Sequence, residues 1–221
     1  MANNKIEIEA IIFDFDGVLA ESVNIKGDAF VELYKNEGED IQKQVLAYHQ
    51  ENGGVSRFDK IRYYETVLCG RSVTEQGVID IANRFAEIVE SGVIQSDWVS
   101  GAKDVLEQYY QKLPLYVASA TPQDELRRIV EARKMSHYFK EINGTPKKKD
   151  EHLADILSEN GYQAMRTLMI GDAITDYNAA QKNGTVFIGR LLPNQASPFP
   201  DDTILIKDLT ELSNLIDVIH A

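Results

Sequence analysis

Apolar residues recur along this chain in two rhythms, and the change between them divides it. Residues 8–15 form an apolar run broken only by Glu9 and Asp14, the pattern of a buried parallel strand. From Ser22 to about Ser96 the period is helical: Ile25, Ala29 and Leu33; more weakly Ile41, Val45, Leu46 and Tyr48; Phe58, Ile61, Tyr64 or Glu65, and Leu68; then Val78, Ala82, Phe85 and Val89. Four helices with no strand among them predict a compact bundle inserted into another fold. After Gly101 the elements alternate: helix 102–112, strand 115–118, helices 123–134 and 151–160, strand 167–170 and helix 175–182. Apolar runs at 186–188 and 204–206 precede a last helix ending at Ile219. This rhythm predicts an α/β core, a doubly wound parallel sheet built from residues 1–21 and 97–221, with a helical cap inserted at 22–96. The loop 191–202 holds three of the six prolines and is expected to cross the surface.

Composition narrows the function. A chain of 221 residues with 43% apolar content can bury a proper core. A net charge of −12 opposes any broad electrostatic footprint on nucleic acid or anionic lipid, so neither is an expected partner. An anionic substrate would need a local positive pocket. The single Cys69 cannot form an internal disulfide and reads as a reduced structural thiol. No run reaches about 18 uninterrupted apolar residues, and residues 1–9 lack an apolar signal region. A cytoplasmic protein, monomeric or weakly dimeric, is the expectation.

Candidate chemistry gathers at the predicted strand ends, where open α/β sheets bind ligands. The first strand delivers Asp14, Asp16 and Gly17. Two residues apart, the carboxylates would share a face in a regular strand; a break at Gly17 would split them, one to attack and one to handle protons. An acidic turn that solvates a strand end is the plain alternative. The second strand ends in Ser119, Ala120 and Thr121, then Pro122 opens a helix. Hydroxyls and free amides there suit a phosphate, or an ordinary helix cap. Gly171, Asp172 and Asp176 end a later strand, again as ligands or as caps. Between them Lys147, Lys148 and Lys149 form a basic cluster, ordinarily a solvated charge run. One common site accounts for all four. Asp14, Asp16 and Asp172 at one edge concentrate negative charge that needs a cation, and oxygen ligands without His or Cys favour Mg²⁺. A lysine and a hydroxyl would complete a phosphoryl cradle.

In this order the residues resemble the haloacid dehalogenase superfamily of phosphohydrolases over the whole chain. Asp14-Phe15-Asp16-Gly17-Val18 is similar to its first motif, Ser119 to its second, a lysine in the 147–149 cluster to its third, and Gly171-Asp172 through Asp176 to its fourth. The helical insert resembles the cap of the subclass shared by phosphoglycolate phosphatases and β-phosphoglucomutase. Val18 stands where Thr is usual and Glu21 where Asp is usual. The resemblance implies Asp14 as the nucleophile that carries an aspartyl-phosphate. It implies Asp16 as general acid and base, with a raised pKa, and as a metal ligand through its backbone carbonyl. Asp172 would be the second carboxylate ligand of Mg²⁺, with Asp176 beside it or capping the helix. Ser119, with Ala120 and Thr121, would bind phosphoryl oxygens, and Lys149 or Lys147 would neutralise charge.

Substrate choice falls to the cap, whose distinctive stretch is His49-Gln50-Glu51-Asn52-Gly53-Gly54-Val55-Ser56-Arg57. Ser56 is placed to cap the next helix. Gly54, Ser56 and Arg57 resemble the Gly-Val-Ser-Arg loop of β-phosphoglucomutase-type caps, which implies Arg57 as a reader of the substrate's far end. A surface arginine beside Asp59 is the alternative, and Lys60 either joins Arg57 or faces water. His49 is expected to pack. The whole predicts a Mg²⁺-dependent phosphatase for a small phosphorylated metabolite, a sugar phosphate or a phosphoglycolate-like acid. The rivals are a phosphomutase with the same aspartyl-phosphate and an idle binding protein. The expected mark of the last is loss of Asp14, Asp16 or Asp172, and all three are present.

Overall fold

In the computed structural model, residues 7–192 and 195–219 are described. Six parallel strands form one sheet: β1 (Ala10–Phe13), β2 (Leu115–Pro122), β3 (Glu141–Thr145), β4 (Thr167–Gly171), β5 (Val186–Arg190) and β6 (Ile204–Ile206), in the order β3-β2-β1-β4-β5-β6. Helices α5 (Ala102–Tyr109), α6 (Gln123–Ala132), α7 (Lys149–Asn160), α8 (Ile174–Asn183) and α9 (Leu212–Ile219) complete the core. Alternate residues of the strands feed two apolar layers. Ile11, Phe13, Val117, Leu168 and Ile170 pack into one, and Ala10, Ile12, Tyr116, Ala118 and Met169 into the other. Both faces are therefore covered, which is why these strands read as continuous apolar runs.

β1 lies at the centre, with Phe13 in register with Val117 of β2 and with Ile170 of β4. The chain fills the β2 side first and the β4 side afterwards, so the order reverses at β1, and the crevice beyond its carboxyl end is the expected ligand site. β3 was not foreseen in the sequence. Its segment, Glu-Ile-Asn-Gly-Thr, is an edge strand with one large apolar residue, too short to show a period. Its tie to β2 runs partly through Gln123, whose Nε2 donates to the Ile142 carbonyl at 2.7 Å while its Oε1 accepts from the Gly144 amide at 2.6 Å.

Between β1 and α5 rise α1 (Val23–Leu33), α2 (Glu39–Glu51), α3 (Arg57–Tyr63), which runs on into a π-helical turn at Tyr64–Leu68, and α4 (Glu75–Gln95). Their stripes meet in an aromatic knot: the Phe30 and Phe85 rings are 4.1 Å apart, and Tyr64 stands edge-on to Phe30 at 5.4 Å. Two adjacent chain crossings carry the insert, the Glu21 amide bonding the Asp97 carbonyl and the Val99 amide the Leu19 carbonyl. Arg133, just beyond α6, donates to the carbonyls of Val93, Ile94 and Ser96, and so satisfies the open end of α4 from the core.

Candidate active site

Strand β1 ends by presenting Asp14 to the crevice. Its carboxylate is 4% exposed, with Oδ1 accepting from the Phe15 amide at 2.6 Å and Oδ2 from Lys149 Nζ at 2.7 Å. Lys149 is the first residue of α7, so the helix start fixes its approach. The same ammonium donates to Asp176 Oδ1 at 2.5 Å, and Asp176 Oδ2 accepts from the Ala173 amide at the head of α8. Lys147 is elsewhere: it pairs with Asp155 at the surface. Gly17 has φ +75°, and a Cβ there would strike the Asp172 carboxylate, so glycine is what lets the β1 loop and the end of β4 close on each other.

Side-chain oxygens of Asp14, Asp172 and Asp176 all lie within 4.8 Å of one another. Asp172 accepts no hydrogen bond among the described residues. Burial, with the charges of Asp176 and Asp16 adding and Lys149 opposing, pushes Asp14 up to about 7. Burial likewise raises Asp172, with Asp14 and Asp176 adding to it. On Lys149 burial works downward, but the Asp14 and Asp176 charges outweigh it and raise its pKa. One ammonium thus leaves the cluster short of positive charge. An oxygen-only donor set with one wholly uncommitted carboxylate fits a small hard cation.

The Asp16 carboxylate is not in that cluster. It turns the other way, where Oδ1 accepts from Ser22 Oγ at 2.6 Å and Oδ2 from Lys26 Nζ at 2.5 Å and Thr121 Oγ1 at 3.0 Å. The expected raised pKa is corrected here. Burial does push it up, but Lys26 and the hydroxyl donors more than offset that, and Asp16 is held below the ordinary carboxylate range. The break at Gly17 does split the two aspartates. Ser119, 1% exposed, accepts from the Thr121 amide at 3.1 Å, so β2 delivers both hydroxyls, with Ala120 between them, to the crevice.

A cavity of about 340 Å³ lies between this floor and the helices of the insert; Asp14, Asp16, Ser119, Ala120, Thr121 and Asp172 line the core side. The insert supplies Lys26, Phe30, His49, Gly54, Arg57, Lys60 and Phe85. Gly54, at φ +74°, abuts Thr175, where any Cβ would collide, so the loop docks directly on α8. Ser56 caps α3, accepting from the Asp59 amide, and borders an adjoining pocket rather than this one. Arg57 departs from the expected free reader. Its Nη1 and Nη2 donate to Glu125 of α6 at 2.7 and 2.5 Å, and its guanidinium lies 4.6 Å from the Phe85 ring centre. The proline loop crosses the surface as expected, and in doing so Leu192, Gln195, Ala196 and Pro198 form a lip of the cavity; Pro193 lies outside the described residues. Sequence reasoning gave no active-site role to Glu125. Glu125 lies in the first turn of α6, four residues past Thr121, and belongs to no motif.

Residues 11–190 match the haloacid dehalogenase-like hydrolases. This chain belongs to that family. A 5'-nucleotidase of Pseudomonas aeruginosa is 30% identical over 105 residues, 45% of this chain and 48% of that protein, so the chain spans about half the length of the curated relative it matches. Among solved structures, β-phosphoglucomutase of Clostridium difficile has a TM-score of 0.78 at 17% identity, covering 96% of this chain and 97% of the other. YfnB of Bacillus subtilis, a HAD-hydrolase bound to magnesium, has a TM-score of 0.73 at 18% identity, covering 96% and 99%. At such identities the likeness is one of fold. The six-stranded parallel sheet with its helical insert is the haloacid dehalogenase architecture. No helix among the described residues is long and apolar enough to cross a membrane.

Proposed function

We propose that the protein is a Mg²⁺-dependent phosphatase of small phosphorylated metabolites working through an aspartyl-phosphate on Asp14. The observation that carries this is the buried Asp14 carboxylate, held by Lys149 at 2.7 Å beside the uncommitted Asp172, at the floor of the cavity between sheet and insert. A carboxylate oriented from both sides is positioned for in-line attack on phosphorus, and Lys149 offsets charge on nucleophile and phosphoryl group alike. Asp14 and Asp172 are the residues that would hold Mg²⁺, with Asp176 close by but committed to Lys149 and the Ala173 amide. The ion would supply charge neutralisation for the phosphoryl oxygens. The Ser119 hydroxyl, which only accepts from the Thr121 amide, is placed to donate to those oxygens, whereas the Thr121 hydroxyl already donates to Asp16.

Asp16 would give a proton to the leaving oxygen and take one from water. The Lys26 contact holds it as a carboxylate, ready to act as base. Protonation for the acid step therefore requires loosening of the Lys26 contact when substrate enters. The 5'-nucleotidase relative and the family match favour phosphoester hydrolysis. Phosphate release from a panel of sugar phosphates, nucleotides and phosphorylated acids, with Mg²⁺ present, tests this reading. An isomeric phosphate formed only with a bisphosphate activator would make the protein a mutase instead.

A further inference from the structure

Helix α3 presents two cations to the cavity one turn apart, Arg57 and Lys60, and the structure treats them differently. Arg57 is fully compensated by the bidentate contact with Glu125. Lys60 is 3% exposed and makes no ion pair among the described residues. Its ammonium is 3.1 Å from His49 Nδ1 and 3.4 Å from the His49 carbonyl, both uncharged acceptors, with the Phe30 ring centre at 6.0 Å. Burial, with Lys60 and Lys26 adding, pushes His49 down to about 3, so the imidazole is neutral and can only accept from the ammonium. Burying a charge without a counter-ion is unfavourable. Burial, with the Lys26 charge adding, pushes Lys60 itself down to about 7, while Asp172 and Asp16 act on it only from a distance. A buried amine on a cavity wall, with all its nearer partners neutral, can gain a counter-ion only from what enters the cavity.

We infer that Lys60 takes a second anionic group of the substrate while the phosphoryl group occupies the floor at Asp14, and that Glu125 withdraws Arg57 from that task. The inference rests on the phosphatase reading and narrows it to phosphomonoesters carrying another negative charge, a carboxylate or a second phosphate. The neutral imidazole of His49 positions the ammonium, and Phe30 and Phe85 exclude water around the carbon skeleton between the two anions.

Two matched pairs of substrates test it: 3-phosphoglycerate against glycerol 3-phosphate, which differ by a carboxylate, and fructose 1,6-bisphosphate against fructose 6-phosphate, which differ by a phosphate. The wild-type enzyme is expected to favour the more anionic member of at least one pair by tenfold or more in kcat/KM, and the pair that shows it tells the carboxylate from the phosphate. Lys60→Gln should cut that preference at least tenfold, chiefly through KM, and Lys60→Arg should keep a large part of it. Removing an uncompensated buried charge should leave the melting temperature at or above that of the wild type; if the Gln variant does not fold, Lys60→Met gives the same ratio. No preference in either pair, or a preference that survives in a folded Lys60→Gln enzyme, overturns the inference. If wild type with Mg²⁺ releases phosphate from none of the four substrates and not from p-nitrophenyl phosphate, the phosphatase reading is what fails. Calorimetric binding of the same four compounds to wild type and Lys60→Met then decides the inference by itself.

Discussion

Lys149 and Asp14 lie 135 residues apart in the chain and 2.7 Å apart in the site. The contact joins the head of α7 to the end of β1, and the same ammonium reaches Asp176 on α8, so three core elements are fastened by one side chain. Replacing it with an apolar residue removes the ammonium that bonds two of three clustered carboxylates, Asp14 and Asp176. Lys149→Met should lower kcat/KM by at least about a hundredfold, the scale seen for a lost charge-stabilising donor. Lys147→Ala, which breaks only a surface pair with Asp155, should cost less than about threefold. Steady-state kinetics on both variants checks this.

The Arg57–Glu125 contact crosses from the insert to the core with both side chains at most 6% exposed. Removing one partner leaves the other charged and buried, which costs about 3–5 kcal/mol in well-packed sites. Arg57→Ala should therefore depress kcat/KM on every substrate alike, p-nitrophenyl phosphate included, because it disfavours the closed cap. Adding Glu125→Ala should recover part of the loss. A double-mutant cycle should return a coupling of at least about 1.4 kcal/mol, tenfold in rate. A loss confined to one metabolite, with no coupling, would return Arg57 to the role of substrate reader.

Metal binding should be linked to pH with a definite sign. Asp14 titrates near 7 in the folded, metal-free protein, above the ordinary value of about 3.9, and Asp172 is raised too. The protonated form is thus favoured in the fold below 7, and that contribution to stability is lost as pH rises through 7. A cation needs the deprotonated form. The rise in melting temperature caused by a fixed Mg²⁺ concentration should grow from pH 5.5 to pH 8, and chelator should abolish both that rise and turnover. Differential scanning calorimetry at the two pH values measures it; a shift independent of pH would separate Asp14 and Asp172 from the metal.

Much of this site was legible in the sequence because its parts are strand ends, where an apolar run stops at a polar residue. Asp14, Ser119 and Asp172 each follow buried strand residues, and the sheet order brings all three together without further information. Lys149 stood among three adjacent lysines. What separates it from Lys147 is that α7 begins at Lys149, a boundary set by the Glu151 carboxylate capping the Lys148 amide. Pairings across the cap interface left no local signature. Glu125 looks like a first-turn acidic residue of α6 favoured by the helix dipole, and only the tertiary contact shows that it neutralises Arg57. Lys26 belongs to a polar position of α1, and its reach to Asp16 depends on how the insert folds back over the sheet. The low pKa of Asp16 was missed for the same reason.

The central claim is that Asp14 attacks phosphorus, and Asp14→Asn tests it most directly. The amide is the same size and can still lie beside Lys149, but it cannot form the aspartyl-phosphate. With Mg²⁺ and the best substrate from the panel, a folded Asp14→Asn protein should release phosphate at less than about one per cent of the wild-type rate, as expected for a reaction whose uncatalysed barrier is among the highest known. Retention of more than a few per cent, with the circular dichroism spectrum unchanged, would contradict the account.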